Sequence, residues 1–163
     1  MAVSKIFEAI FHNNEELFMD MLKRGCANAV DDLGDSVLLD CLDKERIVFF
    51  EALLEAGSDP LAMDYIGNNS LHKSSLRGRV DFVLLLIKFQ KDLDVLGSDG
   101  FTAINYAANF NHWDVVEVLL EAGANPDVPD WFGITARDRI YRNYRLSDSN
   151  ICRKYLNQLL EGC

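Results

Sequence analysis

Four glycines, Gly34, Gly67, Gly100 and Gly133, stand 33 residues apart, and that fixed period constrains the fold more than any other feature of the sequence. Periods of this size belong to stacked architectures, in which each unit is one supersecondary motif that cannot bury its apolar face alone. Two residues after each glycine comes a small hydroxyl or amide, Ser36, Asn69, Thr102 or Thr135, placed to accept from free backbone N–H groups at a helix start. Apolar anchors follow at Leu38, Leu71 and Ile104, and Gly57, Gln90 and Gly123 lie 19 residues beyond them. The same step of 19 joins Ile6 to Gly25, which adds an amino-terminal copy without a leading turn. Gly25 to Gly34 is one residue shorter than Gly57 to Gly67, so that turn has lost a residue.

In this register the chain is one domain of about five units, near 1–30, 31–63, 64–96, 97–129 and 130–163. Each holds a short first helix, a longer second helix and a turn. The first unit places its helices at Lys5–His12 and Glu15–Arg24, and the fourth is the most regular. Ala9, Cys41, Ser74 and Ala107 share one first-helix position, where small side chains allow neighbouring units to approach closely. The second helices supply the core through Leu17, Phe18, Met21 and Leu22, then Phe49, Phe50, Leu53 and Leu54. Val83, Leu84, Leu86 and Ile87 follow, and then Val115, Val116, Leu119 and Leu120. The fifth unit diverges after its turn, placing Arg137 where others place Leu or Ile. Its stripe of Ile151, Tyr155, Leu156, Leu159 and Leu160 suits a terminal cap, one face buried and one in water.

The fourth unit, Gly100-Phe-Thr-Ala-Ile-Asn-Tyr-Ala-Ala, then His112-x-Asp-Val-Val to Leu119-Leu120 and Gly123-Ala-Asn-Pro, resembles the ankyrin repeat. Gly97 stands where that family prefers Asp, which Asp64 and Asp130 keep. The resemblance covers essentially the whole chain. It implies an all-α ankyrin-repeat solenoid of helix-turn-helix units with β-turn/hairpin loops along one edge. It also implies structural roles for His72, bonding the neighbouring turn, and for His112 between helices.

Charge and motifs narrow the function. The 26 acidic and 16 basic side chains give −10, so the molecule repels nucleic acid and anionic membrane surfaces. Residues 1–129 hold 22 acids against 10 bases, an imbalance that attracts a basic partner. Cys26, Cys41, Cys152 and Cys163 lack zinc-like or C-x-x-C spacing and read as reduced thiols. Glu8 interrupts the amino-terminal apolar run before signal-peptide length, and no stretch approaches the roughly 20 apolar residues of a membrane span. No H-E-x-x-H or phosphate-binding glycine loop is present, and Asp31-Asp32 and Glu15-Glu16 read as solvated turn and helix-start residues. Arg137, Arg139, Arg142 and Arg145 read as the solvated face of a cap helix. The expectation is a cytoplasmic or nuclear protein, monomeric alone, with no enzymatic activity, cofactor or metal.

Function is then expected on the turn tips and the adjoining concave wall, the surface that repeat arrays offer to partners. The tips are Asp32, Leu33 and Asp35; Tyr65, Ile66 and Asn68; Ser98, Asp99 and Phe101; and Trp131, Phe132 and Ile134. Aromatic side chains dominate binding hot spots. The candidate contact residues are therefore Tyr65, Ile66, Asn68, Asp99, Phe101, Trp131, Phe132 and Ile134, with Tyr106 and Phe110 on the wall and Asp32 and Asp35 steering a basic segment. Asp40, Asp43, Lys73, Arg77 and Asn109 are secondary wall positions. A binding module for another protein is the expected role. The alternative, implied by the resemblance alone, is a stand-alone viral or bacterial inhibitor, effector or immunity protein that masks a target, acting in the host cytosol, for example like short relatives of the inhibitor of nuclear factor kappa B.

Overall fold

From the second unit on, the first helix of each unit begins where a side chain caps it. Ser36 Oγ accepts from the Leu39 N–H, Asn69 Oδ1 from Leu71 and His72, and Thr102 Oγ1 from Asn105. At the fifth site Thr135 and Asp138 bond each other's backbone N–H reciprocally, a capping box. The computed structural model describes residues 2–146. Within them the helices are α1 (Ala2–Phe11), α2 (Glu15–Lys23), α3 (Val37–Asp43), α4 (Ile47–Glu55), α5 (Ser70–Leu76), α6 (Val80–Phe89), α7 (Ala103–Asn109), α8 (Trp113–Glu121) and α9 (Ala136–Leu146). Short 3-10 turns occur at Cys26–Asn28 and Ser98–Gly100. The expected stripe at 151–160, Cys152 and Cys163 lie outside the described residues.

Helices pair as α1 with α2, α3 with α4, α5 with α6 and α7 with α8. First helices stack in the order α1, α3, α5, α7, α9, and α4, α6 and α8 form a second row. Among the described residues the architecture is all-helical, with one isolated antiparallel bridge, Val30 to Ser36, so the loops are reversing turns and not extended hairpins.

Each pair closes through a residue in the left-handed region at one register: Asn13, Glu45, Gly78 and Asn111. At Gly78 the absence of a side chain has a second use, since an added Cβ would stand 2.5 Å from His112 Nδ1. The His112 ring lies there with Nε2 at 3.0 Å from the Leu76 carbonyl, bridging consecutive inter-helix turns.

Ala9, Cys41, Ser74 and Ala107 are all fully buried between neighbouring first helices. In the second-helix row Phe18 stacks on Phe49, with ring centroids 4.1 Å apart, and Phe50 meets Phe82 edge-on at 4.9 Å. The sequence expectation needs one correction here. Leu84 is exposed, whereas Phe82 and Leu85 join Val83 and Leu86 in the core. The register explains it: Phe82, Val83 and Leu86 match Val115, Val116 and Leu119, while Leu84 matches Glu117 on the outer face.

Candidate functional site

The turn tips are built by a recurring set of backbone bonds. The N–H of Asp31, Asp64, Gly97 and Asp130 donates to the carbonyl four residues on, at 2.8–3.0 Å, and the turn glycine donates back. In three of these turns the leading aspartate also accepts from two backbone N–H groups through Oδ1: Asp31 from Leu33 and Asp35, Asp64 from Ile66 and Asn68, Asp130 from Phe132 and Ile134. These short side chains hold the tip residues outward without using the tip side chains themselves.

Gly97 has no carboxylate, and the fourth turn is assembled differently. Asn68 reaches in from the third turn, its Oδ1 accepting from the Ser98 N–H at 3.0 Å and from the Tyr106 hydroxyl at 3.0 Å. An added Cβ at Gly97 would collide with that Oδ1 and come within 3.1 Å of the His72 ring. The backbone instead passes through two successive left-handed residues, Asp99 at φ 57° and Gly100 at φ 72°. Asp is among the few side chains that tolerate that region. The Trp131 N–H then donates to the Asp99 carbonyl at 3.0 Å, and the indole lies across the bare Cα of Gly100. The unit with the most regular helices thus has the least regular tip.

The wall behind these tips is a chain of internal contacts. Phe101 packs on Tyr106, with centroids 4.9 Å apart, and the Arg139 guanidinium sits 4.6 Å from the Phe101 ring centre. Arg139 also pairs with Asp130 and donates to Asn105 and Asn109 side-chain oxygens at 3.3 Å. Burial pushes the Asp130 carboxyl upward, but the Arg139 bond and two backbone N–H groups outweigh it and hold the group below the usual carboxylate range. The expected solvated arginine face is therefore corrected at Arg139, while Arg142 is exposed. Arg139 is buried in this network, and Arg137 is bound bidentately by Asp127 at 2.5 and 2.7 Å.

The structure divides the predicted site residues into two groups. Tyr65, Trp131 and Phe132 are 80%, 73% and 74% exposed, and Ile66, Asp99, Phe110 and Asp32 are exposed too. Asn68 and Tyr106 are buried and bonded to each other, while Phe101, Ile134 and Asp35 are partly buried. Leu33, a tip in the sequence reading but not among its contact candidates, is 75% exposed in register with Ile66 and Phe132. A flanking apolar row of Val30, Met63 and Leu96, exposed three residues before it, escaped the sequence reading, and the 33-residue register was the signal that could have found it.

At the other end of the wall the charges are unevenly matched. Lys73 lies 3.4 Å from Asp64 and 3.5 Å from Asp43, and Arg77 binds Asp43 at 2.6 Å. Asp35 and Asp40 are pushed above the usual carboxylate range, first by burial and then by neighbouring aspartates that outnumber Lys73 and Lys44. A cavity of about 420 Å³ opens beside Asp40, lined by Phe7, Phe11, Asp31 and Lys44 among others, with the Lys44 ammonium 5.6 Å from the Phe11 ring centre. Among the described residues no group of His, Cys, Asp and Glu is arranged to hold a metal, and no helix is long and apolar enough to cross a membrane.

Comparison with known proteins agrees with the geometry. A family model of ankyrin repeats, in three copies, matches residues 39–130. An ankyrin repeat protein of Acanthamoeba polyphaga mimivirus is 37% identical over 60 residues, which is 37% of this chain and 8% of that protein. An E3 ubiquitin-protein ligase of Drosophila melanogaster is 32% identical over 103 residues, 63% of this chain and 4% of the ligase. A nuclear factor NF-kappa-B subunit of Gallus gallus is 25% identical over 128 residues, 77% of this chain and 13% of the subunit. The chain thus spans only a small fraction of these relatives, and what it shares with them is the repeat array. With the matched repeats, the recurring caps and the stacked helix pairs, this chain belongs to the ankyrin repeat family, a non-enzymatic fold that mediates protein–protein interaction.

Proposed function

We propose that this array binds a partner protein along its turn tips, with Leu33, Tyr65, Ile66, Trp131 and Phe132 as apolar contacts. The observation that carries this reading is the exposure of large apolar side chains at tips whose own geometry is held by backbone bonds and buried polar groups. The turn bonds run through backbone groups and the leading aspartates rather than through those side chains. Large exposed apolar patches mark interaction sites, and aromatic anchors dominate their energetics. Asn68, Phe101, Tyr106 and Arg139 support this surface from behind, and Asp32 and Asp35 draw a basic segment towards it.

Affinity capture with the wild-type protein beside Tyr65→Ser/Ile66→Ser/Phe132→Ser tests the proposal. The expected result is loss of specific partners by a variant whose circular dichroism and melting are unchanged. Retention of every partner by a folded variant would move the site to another face. A second reading, a masking inhibitor or effector in the cytosol or nucleus, is favoured by the viral relative and by the coverage of 77% of the chain by the NF-kappa-B subunit. Under it, a captured protein loses its own activity in proportion to occupancy, whereas a scaffold leaves that activity intact.

A further inference from the structure

At the register of Leu33 the following turns carry Ile66, Asp99 and Phe132, and all four side chains are exposed. The row therefore reads apolar, apolar, anionic, apolar. The three turns from Ile66 to Phe132 are linked directly, the third to the fourth through Asn68 and Ser98 and the fourth to the fifth through Asp99 and Trp131. The break at Asp99 coincides with the one turn built without a leading aspartate. There the Asp99 carbonyl is tied to Trp131, while its side chain stays exposed.

Lys73 is committed to Asp64 and Asp43, Arg137 to Asp127 and Arg139 to Asp130. Among the described residues none of them pairs with Asp99. An uncompensated carboxylate between apolar rungs, on a protein of net charge −10, favours a cationic group and repels an anionic one. Contact with the apolar rungs would exclude water and strengthen that preference.

We infer that this row receives a linear segment of a partner protein that carries a lysine or arginine between apolar anchors, with Asp99 as the residue that reads the cation. The inference rests on the proposed tip-binding function and adds the chemistry of the partner. Nucleic acid and acidic segments are disfavoured by the same carboxylate and by the net charge of −10.

The test uses a phage-displayed library of random linear peptides, selected in parallel on the full chain, on Asp99→Lys and on Ile66→Ser/Phe132→Ser. Expected from the wild type are peptides with a Lys or Arg flanked by apolar residues, which bind at least about tenfold more weakly to the Ile66/Phe132 variant. Selection on Asp99→Lys should exchange that cation for Asp or Glu. Wild-type peptides that require Ile66 and Phe132 yet show no cationic preference, or bind Asp99→Lys equally well, overturn the inference and leave tip binding standing. Peptides indifferent to Ile66 and Phe132 overturn both. Failure to enrich any peptide overturns the inference, because a linear segment is what it requires.

Discussion

His72 combines two tasks in one ring. Its Nδ1 accepts from the Asn69 N–H at 3.1 Å, and its Nε2–H donates to the Val95 carbonyl at 2.8 Å, tying α5 to the following turn. Both bonds need the neutral ring with its proton on Nε2. Burial pushes the pKa down, and the Val95 bond and the Asp64 charge only partly offset it. With the folded value below the unfolded one of about 6.5, the unfolded chain binds more protons between the two, so stability is full above that pH and falls as pH drops through the window. One register on, Asn105 makes the equivalent bond, its Nδ2 donating to Val128 at 3.1 Å without a titratable group. His72→Asn should keep the tie and flatten the dependence. Urea midpoints at pH 7.5 and 5.5 check this, and an equally steep decline in the variant would show that another group is responsible.

At the scale of one helix, α5 buries hydroxyls where its neighbours α3 and α7 bury apolar side chains. Ser70, Ser74 and Ser75 are buried where α7 has Ala103, Ala107 and Ala108 and α3 has Val37, Cys41 and Leu42. Ser74 Oγ donates to the Ser70 carbonyl, but the hydroxyls of Ser70 and Ser75 are buried without a partner. A buried hydroxyl left unpaired costs about 1–3 kcal/mol, and removing it relieves that penalty. Ser70→Ala and Ser75→Ala should therefore each stabilise the array by about 1 kcal/mol, and Ser74→Ala by less, as differential scanning calorimetry would show. A shift of roughly 2–4 °C per substitution is the expected scale for a chain of this size. The helix's place in the stack was legible from the sequence, because Asn69, Leu71 and Ser74 hold the 33-residue register of Thr102, Ile104 and Ala107. Its unpaired hydroxyls were not, because whether a buried serine finds an acceptor depends on the neighbours packed on it.

The same contrast holds for the whole array. Caps, helix pairs and small-residue seams follow from a repeated local pattern, whereas the division of the tips into exposed anchors and internal struts does not. Asn68 and Tyr106 are withdrawn because Gly97 leaves room for the Asn68 oxygen, a contact between units far apart in sequence. Arg139 is withdrawn because Asp130 and the Phe101 ring converge on it. What the packed array leaves unbalanced is its acidic end. There the raised Asp35 and Asp40 mean that the native state holds protons more readily than the unfolded chain, so both carboxylates oppose folding at neutral pH and do so less as pH falls through their folded values. A partner of the proposed basic kind would offset that repulsion. Asp40→Asn should raise the thermal midpoint at pH 7, with the gain shrinking as pH falls through the raised folded-state value of the wild-type carboxyl. Added salt should produce part of the same gain in the wild type and less in the variant, since screening acts on the repulsion that the substitution removes. A lower midpoint for Asp40→Asn at pH 7 would mean that its attraction to Lys44 outweighs both burial and the neighbouring aspartates, and the acidic end would then be a stabilising pair and not a surface awaiting a cation.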